Sequence, residues 1–235
     1  MTNSPSSLSF APDLPFLYVG GDPALDLVNT VDWTDRGLEN DRLTDFSRLT
    51  QWAAGAGILS NNAAAALRRA AVARRREAEA AHGTALRARR VLGRLFSAMA
   101  HGEPGGEALD DFNQLLGLAL QSMRVAPVGA RRREGQTLRL AWPDAGTSLD
   151  SIIWPVIWSA ASLIVSPEAG RIRICGGADC GWMYVDRSRN RLRRWCQMAT
   201  CGTREKSRRR YERLRRPARS RPNSKHATSL RPVGG

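Results

Sequence analysis

Four cysteines are the residues of this 235-residue chain best suited to chemistry. They stand as Cys175-x4-Cys180-x15-Cys196-x4-Cys201, and the first 174 residues hold none. A cytoplasmic chain keeps its thiols reduced, so short-spaced pairs point to a metal before a disulfide. Four thiolates make a closed tetrahedral shell for Zn2+, a d10 ion without redox chemistry of its own. Each pair can form a turn that directs both sulfurs inward, and Gly176, Gly177, Gly181 and Gly202 stand where such turns need conformational freedom. Positive surroundings favour the thiolate that the metal requires. Two disulfides, or unliganded thiols in a small core, are the competing arrangements. Zinc is preferred because a segment this short, with few large apolar residues, needs a staple to fold. One structural Zn2+ on Cys175, Cys180, Cys196 and Cys201 is therefore expected, and with no coordination position left for water it disfavours hydrolysis.

The elements that must carry these cysteines can be read around them. Gly181 to Asp186 is rich in strand formers and predicts a short strand leaving the first turn, with Trp182 and Tyr184 covering the metal. Asp186 or Ser188 then caps a short helix through Arg194 and Trp195, with Arg187, Arg191 and Arg194 on one face. After Cys201-Gly202, Thr203 caps a second helix from Arg204 to about Arg216, stopped by Pro217. Ser207, Tyr211 and Leu214 form its narrow inward stripe, and its other positions are charged. A metal-ligating cysteine at a helix start is the arrangement of treble-clef-like zinc fingers.

Charge separates this segment from the rest. Residues 1 to 170 carry 17 Lys+Arg against 18 Asp+Glu, whereas residues 171 to 221 carry 17 against 4. A near-neutral module joined to a basic one implies a polyanionic partner: nucleic acid, an anionic membrane face or an acidic protein. Between 204 and 216 arginine outnumbers lysine seven to one, which suits bidentate contact with phosphate or the guanine edge. Arginine is frequent in the N-terminal part as well, but there acids offset it. The candidate nucleic-acid contacts are Arg187, Arg189, Arg191, Arg194, Arg204, Lys206, Arg208, Arg209, Arg210 and Arg213. DNA is the expected partner. An RNA- or ribosome-associated module without an operator is the alternative, and sequence selectivity distinguishes the two.

The first 170 residues read as mainly α with a small β-hairpin. Residues 16 to 20 are extended; Asp22 caps a short helix, Ala24 to Thr30, with Pro23 at its first position. Further helices are expected at Leu43 to Ala56, Ser60 to about His82 with Gly83 as its stop, Ala85 to Ala100 ended by His101-Gly102, and Leu109 to Leu120. Arg124 to Val128 and Thr137 to Trp142 form the hairpin, and an apolar helix from Leu149 to Val165 closes the core. Three units follow: a helical sensor or dimerisation domain over 1–170, a finger over 171–216, and a disordered basic tail over 217–235. No nucleophile elbow, P-loop or HExxH motif is present and the three histidines lie far apart, so an enzyme is not expected. Asp22, Asp26, Asn29, Asp32 and Asp35 cluster near the N-terminus and could line a small-molecule pocket or bind a cation, with caps and a solvated face the preferred reading; Asp26 and Asn29 are the first places to look for contact with a small-molecule effector. Homodimerisation is left open. The start of the chain lacks a continuous apolar run and has no Lys or Arg before Arg36, which reads against a secretory signal. The most apolar uncharged run, 151 to 167, is short for a membrane span and contains Pro155, so a cytoplasmic protein without membrane attachment is expected.

The run from Cys175 to Tyr211, with Cys-Gly-Trp-Met-Tyr-Val-Asp-Arg-Ser-Arg-Asn-Arg at 180–191 and Trp-Cys at 195–196, resembles the CGNR zinc-finger family. The motif that names the family falls at Cys201-Gly202-Thr203-Arg204, with Thr where the family has Asn. Either residue can cap a helix. The N-terminal part is similar to the ABATE domain in three stretches, Phe16 to Gly21, Leu25 to Thr30 and Asp41 to Asp45, and at Trp52. The resemblance implies a stress-induced transcription regulator whose C-terminal finger binds DNA.

Overall fold

The computed structural model describes residues 14–34, 37–127, 137–142 and 148–215. The expected disordered tail at 217–235, Val128 and Asp35 lie outside them. Asp22 caps α1 (Pro23–Val28) by accepting a hydrogen bond from the Ala24 amide at 2.8 Å, and the proline occupies the first turn, where its missing N–H costs nothing. Nearly every residue of α1 is buried, because the rest of the domain packs around it. An unexpected hairpin follows, β1 (Val31–Thr34) and β2 (Gly37–Asp41), antiparallel with a bulge after Val31. Asp45 caps α2 (Phe46–Gly55), and Ser60 caps α3 (Asn61–Ala73).

The expected helix from Ser60 to His82 is instead two. The chain breaks at Arg74 (φ −117°, ψ 48°), and α4 (Arg75–His101) runs for 27 residues through Gly83. At 1.5 Å per residue it is about 40 Å long, and it forms the spine against which α1, α2 and α3 pack. Gly83 does not stop it, because Ala78, Ala81, Ala85 and Ala88 continue a buried face across the glycine. The stop is Gly102, whose left-handed φ of 73° lets its amide close the last turn.

Next come α5 (Gly106–Gln121) and the expected hairpin, β3 (Arg124–Pro127) paired with β4 (Leu138–Ala141). The apolar stretch after it is not one helix but a 3-10 turn (Leu149–Ile152) followed by α6 (Trp154–Ile164). Pro155 is the cause: it has no amide to continue a helix, so α6 restarts with the proline in its first turn. With 11 residues, α6 is too short to cross a bilayer, and no helix among the described residues is long and apolar enough to do so. Buried arginines lock the β1–β2 hairpin to this frame. Arg89 of α4 donates to both carboxylate oxygens of Asp41 at 2.5 and 2.7 Å and to Thr30, and Arg42 pairs with Asp32 at 2.8 Å. Much of the N-terminal acidic cluster is thus used inside the fold.

The C-terminal part begins with β5 (Ile172–Ile174), pairs it antiparallel with β6 (Met183–Val185), and ends in α7 (Thr203–Arg215). Ile172, Met183 and Val185 belong to the same buried cluster as the side chains of α1, α4 and α6. The molecule is mainly α with small β-hairpins and a four-cysteine finger.

Candidate metal centre and basic surface

The first cysteine pair sits at the tip of the β5–β6 hairpin. The Cys175 amide donates to the Trp182 carbonyl at 2.8 Å, closing the strands over the turn that contains Cys180. At Gly177 a side chain would bring its Cβ within 3.3 Å of the Cys201 Cβ and 3.5 Å of its sulfur, so only glycine lets the two pairs approach freely. The second pair frames a π-helical turn, Met198–Gly202, that leads directly into α7. Thr203 is consequently not the cap expected of it: it already lies in the helix, and its hydroxyl donates back to the Met198 carbonyl at 3.1 Å.

These turns bring all four sulfurs within 4.8 Å of one another. Sulfur atoms of Cys180 and Cys196 are 3.8 Å apart and those of Cys196 and Cys201 are 3.7 Å apart. A tetrahedron with zinc–sulfur bonds of about 2.3 Å has edges of about 3.8 Å, so the donors fit Zn2+. No disulfide joins them. The Cys196 amide donates to the Cys175 sulfur at 3.2 Å, one of the N–H contacts that stabilise charge on a thiolate. Without a cation the thiols cannot share that charge evenly: hydrogen bonds from Cys180 and Cys196 pull Cys175 down, while the same bonds push Cys180 and Cys196 up. One zinc ion resolves the conflict by taking all four as thiolates.

Trp182 and Tyr184 cover the cluster as expected, buried with Cys175, Cys196 and Cys201. Their polar atoms are fixed: the indole N–H donates to the Val31 carbonyl at 3.0 Å, and the Tyr184 hydroxyl to the Arg193 carbonyl at 2.7 Å. Cys180 is only half-buried, at the end of a cleft of about 310 Å3 beside Arg42 and Asp32 of the hairpin region.

The expected helix after Asp186 is absent. Asp186 is buried and accepts from the Ser188 amide and hydroxyl and the Arg193 amide, tying the segment into a loop in which Arg191 takes a left-handed φ of 53°. Those hydrogen bonds hold the Asp186 carboxyl below its ordinary range, Ser188 contributing most. The cations divide accordingly. Arg187 pairs with Glu168 through two nitrogens at 2.7 and 2.8 Å and donates to the Gly21 carbonyl at 2.7 Å, which makes it a clamp onto the helical part. Arg193, absent from the expected set, lies 4.1 Å over the Tyr184 ring and donates to the carbonyls of Val19, Trp195 and Cys196.

On α7 the buried residue is Glu205, not the expected stripe: Ser207 is exposed, Tyr211 is 61% exposed and Leu214 is 75% exposed. Glu205 accepts from Arg208 at 2.7 Å and Arg209 at 3.1 Å, which holds its carboxyl below the ordinary range, and Arg208 also pairs with Glu212. Arg194 lies 5.7 Å over Trp195. Arg189, Arg191, Arg204, Lys206, Arg210 and Arg213 are exposed and have no acidic partner among the described residues.

Asp26 and Asn29 are brought close together, but into the core. Asp26 accepts from the Gly20 amide at 2.8 Å. Asn29, 2% exposed, donates to the Met183 carbonyl and accepts from the Met183 amide, both at 2.8 Å. It extends the β6 edge as another strand would, and its burial leaves the amide closed to a ligand from solvent.

A closed four-sulfur site on a hairpin tip and a helix start defines a treble-clef-like zinc finger, here built onto a helical domain. Residues 171–214 match the CGNR zinc finger, and residues 21–167 match the ABATE model, described as "Putative stress-induced transcription regulator". The chain belongs to the ABATE family and carries a C-terminal CGNR zinc finger. A search of curated proteins finds no match to it.

Proposed function

We propose that the chain is a DNA-binding transcription regulator in which structural zinc holds α7 and the 187–195 loop against nucleic acid, under the control of the helical domain. The observation that carries this reading is α7 itself. Thirteen residues leave the zinc cluster with Glu205 as the single buried one, so the helix has little packing inside its own molecule. Lys206, Arg210 and Arg213 recur at i, i+4 and i+7 and form one ridge of cations. Like charges at that spacing repel, and a row of phosphates relieves the repulsion by releasing counterions. The Arg187 clamp and the acid-paired Arg208 and Arg209 serve the frame, so binding falls to the other seven candidate cations, Arg194 over Trp195 included.

Selection from a random duplex library at moderate salt, using zinc-loaded protein with Cys196→Ser as control, tests the reading. A consensus is expected with zinc-loaded protein alone, and two half-sites in it would mean binding as a dimer. Recovery of no consensus, or equal binding to RNA, sinks the operator. The double variant Arg210→Ala/Arg213→Ala should flatten the log–log salt slope by about 0.9 for each phosphate that is no longer neutralised. An unchanged slope removes the ridge from the interface.

A further inference from the structure

The helical domain and the finger meet over a cleft that the zinc centre does not use. Its volume of about 930 Å3 lies in the range of small-molecule sites. One wall is α4 and another is the β5–β6 hairpin. Arg87, Arg90 and Arg94 recur at i, i+3 and i+7, and all three border the cleft. Arg94 is held by Asp111 at 2.5 Å and Arg87 reaches the Gln114 side chain at 3.1 Å. Arg90 is exposed and has no partner among the described residues. Val91, Ile174 and Met183 also line the cleft, Ile174 half-buried and the other two nearly covered.

An uncommitted guanidinium beside an apolar lining is complementary to one class of molecule: the anionic head pairs with the cation while the apolar body displaces water from the lining. Glu103 and Asp111 also line the cleft, so a polyanion such as a nucleic-acid backbone is repelled more strongly than a singly charged head. The location joins the two halves of the protein. Met183 is the residue whose backbone Asn29 grips, and Gly181, also on the wall, directly follows the zinc ligand Cys180.

We propose that this cleft binds an amphipathic organic anion, a small molecule with one carboxylate-type head and an apolar body. It supplies the control assumed in the regulator reading and rests on that reading for its purpose. The test is titration of the zinc-loaded full chain with 1-anilinonaphthalene-8-sulfonate, with its uncharged relative N-phenyl-1-naphthylamine as a second probe. No nucleic acid is present, so failure here is distinct from failure to bind DNA. Saturable fluorescence enhancement is expected. Arg90→Glu should weaken the sulfonate roughly tenfold or more while leaving the uncharged probe within about twofold. Ala98→Phe, which fills the cleft from α4, should abolish both, and Arg69→Glu on α3 should change neither. Circular dichroism establishes that each variant is folded, and Arg90→Gln gives an intermediate loss if the charge acts as proposed. Enhancement that Arg90→Glu and Ala98→Phe both leave intact places the dye on another surface, such as the exposed Val125–Leu140 pair of the β3–β4 hairpin, and overturns the proposal. Equal loss of both probes in Arg90→Glu overturns the anionic head.

Discussion

Asp26 shows how one buried group couples this fold to pH. Burial pushes its carboxyl from the usual carboxylate range up to about 6, and Asp22 nearby adds to the rise, while the Gly20 and Val19 amides oppose it. The folded state therefore holds the proton more tightly than the unfolded chain, whose carboxyl has the ordinary value of 3.8. By linkage, the group's contribution is most favourable below pH 3.8 and is lost as pH rises from there through about 6. Asp26→Asn keeps an acceptor for the Gly20 amide and removes the charge. It should stabilise the protein relative to wild type at pH 7.5 by up to about 3 kcal/mol and much less at pH 4. Urea unfolding at the two pH values checks this, and a wild-type-to-variant difference that is the same at both would rule it out. Asn29 carries a different lesson. Its amide is open to an effector role in the sequence because its partner, Met183, lies 154 residues away, and no local pattern encodes a side chain that substitutes for a strand.

Among the elements, α4 is the one most at odds with its glycine content. Gly83 lies inside the helix with no left-handed φ, and a Cβ built there meets nothing within 4 Å. Gly83→Ala should therefore raise stability by about 0.5–1 kcal/mol, through the lower entropy of the unfolded chain and better helix propensity. Thermal melting followed by circular dichroism reads the change; a lower melting temperature would show that the glycine serves a close approach after all. The other helices explain which elements the sequence makes legible. Where a cap and the apolar spacing it starts are adjacent in the chain, as at Asp22, Asp45 and Ser60, helix starts follow from local hydrogen bonds. Gly102 marks an end because its conformation truly differs. The α3–α4 break has no such local mark: the periodic alanines run past it, and the break follows from α3 packing on α2 while α4 crosses the domain. The metal centre is legible because four sulfurs and their glycines dictate a geometry by themselves. The loop after Asp186 is not, because a buried aspartate that can cap a helix can equally gather a loop, and the choice is made by Arg193 stacking on Tyr184. Helical spacing on α7 identifies Tyr211 and Leu214 as a stripe, yet spacing says nothing about whether a partner surface exists in the same molecule.

At the scale of the whole molecule, the finger is not a pendant. Ile172, Met183 and Val185 complete the core of the helical part. Trp182 donates to Val31, Arg187 to Gly21 and Arg193 to Val19, so three side chains of the finger are bonded to backbone near α1. Zinc fixes the two ends of this junction, since Cys175 and Cys180 bracket the hairpin tip and Cys196 and Cys201 hold the loop and α7. Losing the metal removes the bonds that gather the four sulfurs, and the finger should unravel. If the two parts were independent, the helices would melt at the same temperature with or without zinc. With a shared core, the helical part loses the burial of Met183 and Val185 together with those backbone bonds. A loss of even ~3 kcal/mol lowers Tm by about 6–12 °C in a chain of this size. The half-exposed Cys180 gives a chelator a route to the ion. Melting curves followed at the helical circular dichroism band, with and without a strong chelator, distinguish the two cases: a single transition shifted downward is expected, and helical melting indifferent to the chelator would mean that the finger folds and unfolds on its own.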